Sequence, residues 1–75
     1  MNLKQMEYFV AAAEQLNFTR AAKKCFISQT AMTLQIQSLE EKIGVPLFVR
    51  DKHHVELTAA GKVYLNEARA ILVRA

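Results

Sequence analysis

Between residues 28 and 38 the chain reads Ser28-Gln29-Thr30-Ala31-Met32-Thr33-Leu34-Gln35-Ile36-Gln37-Ser38. On a helix turning about 100° per residue, Thr30, Leu34 and Ser38 share one face, flanked by Thr33 and Gln37. Met32, Ile36, Leu39 and Ile43 form the opposite, apolar stripe. The first face carries hydroxyls, amides and one isobutyl group, and no charge. Such groups read hydrogen-bonding edges and methyl groups; they do not attract ions. Attraction has to come from beside the helix. Residues 17–39 hold Arg20, Lys23 and Lys24 and no acid, and Arg50, Lys52, His53 and His54 follow. An acid-free window of this kind is a face for a polyanion, with a solvated basic surface as the plainer alternative.

Other chemistries find no footing. There is no Ser/His/Asp or Cys/His arrangement, phosphate loop or carboxylate pair with catalytic placement, so an enzyme is not expected. His53 and His54 are adjacent and lack a third ligand, and Cys25 is alone. Neither a metal site nor an internal disulfide is expected, and no cofactor is implied. A lone cysteine, no apolar run near the roughly 20 residues of a membrane span and no signal peptide point to a cytoplasmic protein without membrane contact.

Seventy-five residues make one domain at most, and the core of so short a chain is marginal. With 52% apolar residues, such a body has more apolar surface than it can easily hide, which suggests a partner surface. Two Gly and one Pro leave little turn material, so the fold should be mainly α.

Leu3, Met6, Phe9, Val10, Ala13 and Leu16 mark a helix over about residues 3–16, with Asn2 as N-cap. The polar Gln5 falls off that stripe. After a break at Asn17-Phe18-Thr19, Thr19 can cap a short helix over about 19–25. Ser28 caps a third helix, which Gly44 and Pro46 stop. Leu47 to Arg50 and Val55 to Leu57 read as two antiparallel strands joined by Asp51-Lys52-His53-His54. Thr58 then caps a last helix that runs to the end. Short helix, tight turn and capped helix make a helix-turn-helix, and the hairpin makes it winged. The expected architecture is a three-helix core, a two-stranded wing over 47–57 and a long final helix. Such a helix fits the major groove of duplex DNA. On the residues alone, duplex binding competes with a second function, a protein–protein interaction module using the apolar last helix.

One set of residues narrows this. Phe18-Thr19-Arg20-Ala21-Ala22, Ser28-Gln29, Ala31, Gln35-Ile36, Leu39-Glu40, Gly44-Val45-Pro46-Leu47-Phe48, Arg50, Leu57-Thr58 and Ala60-Gly61 stand in the register of a known family. From residue 2 to about 65 the chain resembles LysR-type bacterial transcriptional regulators. The resemblance implies sequence-specific binding of double-stranded DNA by residues 1–58. The recognition helix, about 28–43, would lie in the major groove and the wing on the backbone or minor groove. Residues 59–75 would begin a linker helix that forms a homodimer by antiparallel pairing. Family members also carry a C-terminal effector-binding domain, which these residues do not contain, so a small-molecule effector would act only through that missing part. The chain is thus expected to be an excised end of a longer regulator.

Carried over by position, Gln29 and Thr30 would face base edges, and Thr33 and Leu34 bases or phosphates, with Gln37 beyond them. Thr19 and Ser28 resemble capping hydroxyls near the DNA backbone, and His53 stands where the wing usually has Arg. The departures are Thr30 for the usual Pro, Thr33 for Ser, and Leu34, Gln37 and Ser38 where the family is often basic. Residues 29–39 hold no cation, so phosphate contacts would fall to Arg20, Lys23, Lys24, Arg50 and Lys52, aided by His53 and His54. Arg20 has a second reading, an ion pair with Glu40. On the last helix Tyr64, Leu65, Ala68, Ile71 and Leu72 are the expected dimer contacts.

Overall fold

The structure is a computed structural model and describes residues 2–74. Its elements are α1 (Leu3–Gln15), α2 (Phe18–Lys24), α3 (Gln29–Ile43), β1 (Phe48–Arg50), β2 (Val55–Leu57) and α4 (Ala59–Arg74). This is the mainly helical, winged arrangement the sequence predicts.

Each helix start has a side-chain cap. Asn2 Oδ1 accepts the Gln5 N–H at 2.7 Å, and Ser28 Oγ accepts the Ala31 N–H at 3.0 Å. The second helix corrects the expectation of a Thr19 cap. Leu16 ends α1 in the left-handed region, at φ 48°, and the chain turns extended at Asn17. Asn17 Oδ1 then accepts the Arg20 N–H at 2.9 Å, so Asn17 is the cap and α2 begins at Phe18. Asn caps at least as well as Thr, and the Thr19 hydroxyl is left for other use. The turn into α3 is closed by Ile27 N–H on Ala22 O at 3.0 Å, with Phe26 left-handed at φ 59°. That is the chain reversal of a Schellman motif.

The core gathers Phe9, Phe18, Met32, Ile36, Leu39, Leu47 and Phe48 around four small residues, Ala12, Ala13, Ala21 and Ala22, that let α1 and α2 approach. Phe9 packs edge-on to Tyr64 at 4.8 Å between ring centres and tilted on Phe48 at 5.4 Å; Phe18 meets Phe48 edge-on at 5.3 Å. Ile43, expected in the core stripe, is exposed instead. The last turn of α3 runs past the core, whose deepest residues on this helix are Met32, Ile36 and Leu39. Gln5, expected outside the core, is buried. Its amide nitrogen donates to Gln35 Oε1 at 3.1 Å and its oxygen accepts from Lys42 Nζ at 3.3 Å, which fastens α1 to α3.

A knot of hydrogen bonds joins α3, the wing and α4. Glu40 Oε2 accepts the N–H groups of Leu47 at 2.7 Å and Phe48 at 3.2 Å. The Thr58 hydroxyl donates to Pro46 O at 2.8 Å and accepts the Gly61 N–H at 2.9 Å, while Thr58 N–H donates to Leu47 O at 3.0 Å. The strands pair with Phe48 opposite Leu57, Val49 opposite Glu56 and Arg50 opposite Val55. Removing the carboxylate in Glu40→Ala leaves two wing N–H groups without their acceptor. We expect it to cost about 1–3 kcal/mol in denaturant unfolding, with Glu40→Gln recovering part of the loss.

Candidate nucleic-acid interface

The face of α3 opposite Met32 and Ile36 points away from the core. Thr30, Leu34 and Gln37 are exposed, and Thr33 is half-buried. Gln29, Thr30, Thr33 and Leu34 surround a hollow of about 360 Å³. Leu34 is 59% exposed there, at the centre of an uncharged surface.

A second hollow, about 500 Å³, lies between this helix and the wing. Asn17, Thr19, Gln29 and Thr33 line one side; Arg50, Lys52, His53 and His54 line the other. Three interactions shape it. The Arg50 guanidinium sits 4.6 Å above the Phe18 ring, a cation–π contact that holds the charge at the groove wall. Asp51 Oδ1 accepts the backbone N–H groups of His53 and His54, each at 2.8 Å, fixing the wing tip. Those N–H groups hold the Asp51 carboxyl below its ordinary range. Thr19 Oγ donates to Gln29 Oε1 at 2.9 Å. With its oxygen engaged, Gln29 keeps two amide N–H donors for an outside acceptor.

The sequence-predicted site residues therefore fall into groups. Gln29, Thr30, Thr33 and Leu34 come together on one hollow; Thr19, Arg50, Lys52, His53 and His54 share the next. Ser28 is exposed, and its hydroxyl accepts the Ala31 N–H as the α3 cap, which leaves its O–H free to donate. Gln37 lines a different depression, with Glu40 and Glu41, so its surroundings are acidic. Arg20 is exposed and does not pair with Glu40, whose carboxylate is committed to the wing backbone. Among the described residues the ion pairs are Lys4–Glu7 and Arg69–Glu14. No metal-binding cluster occurs among the described residues, and none of their helices is long and apolar enough to cross a membrane. Burial pushes the Cys25 thiol up, which favours its neutral form.

On α4 the expected partner residues are covered to different degrees within the chain. Ala68 is buried within the chain, Tyr64 lies against Phe9, and Leu65 packs on the core. The stripe Gly61, Leu65, Ala68 faces inward because α4 packs along α1, an arrangement braced by Arg69 on Glu14 at 3.0 Å. Of the expected contacts Ile71 is exposed, and Tyr64, Leu65 and Leu72 are half-buried. Val63 and Val73, not singled out from the sequence, stand far into solvent.

Residues 3–62 match the family of bacterial regulatory helix-turn-helix proteins, lysR family. The chain belongs to the LysR family. It is 55% identical over all 75 residues to the Hca operon transcriptional activator HcaR of Escherichia coli, of which it covers 25%. It is 47% identical over 74 residues to a probable cat1 operon transcriptional activator of Acinetobacter lwoffii, covering 24% of that protein. The chain thus spans about a quarter of the length of these curated relatives. Among solved structures, a CbnR DBD–DNA complex superposes with a TM-score of 0.92 at 46% identity, covering 96% of this chain and 83% of the other. A BenM DBD complex with benA site 1 DNA gives 0.93 at 38% identity, covering 99% and 83%. The LysR-family fold, a helix-turn-helix with a two-stranded wing, is therefore the setting in which the α3 surface has to be understood.

Proposed function

We propose that this LysR-family domain binds double-stranded DNA sequence-specifically, as part of a bacterial transcriptional regulator acting in the cytoplasm. The observation that carries the proposal is the pairing of an uncharged reading face on α3 with a groove beside it that holds the Arg50 and Lys52 cations. The face supplies Gln29, Thr30, Thr33 and Leu34; the groove supplies Arg50, Lys52, His53 and His54, with Asp51 turned to the wing-tip backbone. Division of labour follows. The groove and Arg20 neutralise phosphates on either side of the major groove, and α3 meets base edges. Thr19 positions Gln29 through the hydroxyl–amide hydrogen bond. Residues 59–75 begin the linker helix, and the homodimer pairs through α4 over its exposed Val63, Ile71 and Val73 and its half-buried Tyr64, Leu65 and Leu72. Any small-molecule effector acts through a further domain of the longer protein.

Fluorescence anisotropy with labelled duplexes tests this. The 75-residue chain should bind duplex at low salt, with log affinity falling linearly in log salt by about 0.9 per neutralised phosphate. Gln29→Ala should weaken binding to a preferred site by about 1–3 kcal/mol with the salt slope unchanged. A chain that is dimeric yet binds no duplex at low salt would favour the protein–protein module instead.

A further inference from the structure

We propose that Leu34 makes this domain a reader of thymine methyl groups. The inference rests on the DNA-binding reading above and assigns the base feature that the α3 surface selects. Leu34 is the large apolar side chain in the middle of a face that is otherwise polar, and it is 59% exposed. Packing within the chain gives no reason for it, since the buried residues of α3 are Met32, Ile36 and Leu39 on the opposite side. It is not a stray surface leucine on a flat patch. With Gln29, Thr30 and Thr33 it lines an open hollow of about 360 Å³. Two of those neighbours bring methyl groups of their own, so the hollow offers carbon on several sides.

The apolar group that distinguishes one base pair from another in the major groove is the C5-methyl of thymine; the other distinguishing groups are donors and acceptors. An isobutyl group beside a thymine gains contact and sheds water from both partners. Beside cytosine it finds no methyl and covers an amino donor that it cannot pair. The hollow therefore favours a T·A pair, and Leu34 is a specificity-determining residue.

The test begins with in-vitro selection of duplexes by the 75-residue chain. Affinities are then measured for the selected duplex and for versions in which deoxyuridine replaces each thymine, a change that removes only the methyl. Wild type should lose about fourfold at one half-site thymine, the contribution expected of one buried methyl. Leu34→Ala, at an exposed helical position with a good helix former, should bind the thymine duplex several-fold more weakly and no longer distinguish thymine from deoxyuridine. Leu34→Arg should also lose the distinction while steepening the salt slope by about one unit. Duplex binding with no thymine–deoxyuridine difference at any position overturns the assignment of Leu34 but leaves the DNA-binding reading standing. A difference that persists in Leu34→Ala overturns it equally. Failure to bind any duplex at low salt overturns both.

Discussion

Gly61→Ala should lower the thermal midpoint of the domain by roughly 15 °C. In an ordinary helix interior this exchange stabilises by about 1 kcal/mol, because Ala is the better helix former. Here the sign reverses. A Cβ at residue 61 would stand 2.1 Å from the Leu47 carbonyl oxygen, 3.1 Å from its carbon and 3.0 Å from Leu57 Cδ2. The oxygen is backbone and cannot swing aside. It accepts the Thr58 N–H, and the N–H of the same residue is held by Glu40. Relief requires α4 to lift off the base of the wing, breaking the Thr58 contacts that join them. Overpacking of this kind costs on the order of 3 kcal/mol, and each kcal/mol moves the midpoint of a domain this size by about 4–8 °C. Circular dichroism melts decide it. An Ala variant melting at or above wild type would mean that the α4–wing contact is not as close as described.

Phe9→Ala is the second large effect. Phe9 is fully buried and its ring touches Phe48 of the wing and Tyr64 of α4, so it links elements far apart in sequence. Truncating a buried Phe to Ala costs about 3–5 kcal/mol. A domain of this length has a total stability of about 4–11 kcal/mol, so the variant should lose a large share of it. Urea unfolding should show a much lower midpoint, with Phe9→Leu between the two. DNA affinity should fall only by the fraction unfolded, since Phe9 lies far inside the body. Full stability in Phe9→Ala would contradict the central place given to this ring.

The sequence conveys elements with local signatures and conveys neighbours poorly. Asn2, Ser28, Gly44 and Thr58 announce helix ends because a cap is a contact within one turn, and the structure places them there. Asn17 was passed over for Thr19 because both can cap, and only the left-handed turn at Leu16 decides between them. Helix α4 is apolar over more than one stripe, so periodicity shows the faces without showing which one α1 covers. That is why the burial of Ala68 and the partial burial of Tyr64 and Leu65 within the chain do not show in the sequence. Glu40 illustrates a different blind spot. Its partners are backbone N–H groups of Leu47 and Phe48, and a backbone donor leaves no mark in a side-chain pattern. An ion pair with Arg20 was the visible alternative. The cluster around α3 was more legible, since Gln29, Thr30, Thr33 and Leu34 are three to five residues apart at most and a helix must bring them together. The groove with the wing depends on how the hairpin folds back, and only its charges were visible.

The central claim is that α3 and the wing form the DNA-facing surface. The most direct test is a two-dimensional amide NMR titration of the 75-residue chain with a selected duplex. The largest shifts should fall at Gln29, Thr30, Thr33 and Leu34 and across the wing tip from Asp51 to His54, with Lys4 and Glu7 on α1 little changed. Shifts concentrated on α4, with α3 and the wing tip unmoved, would contradict it.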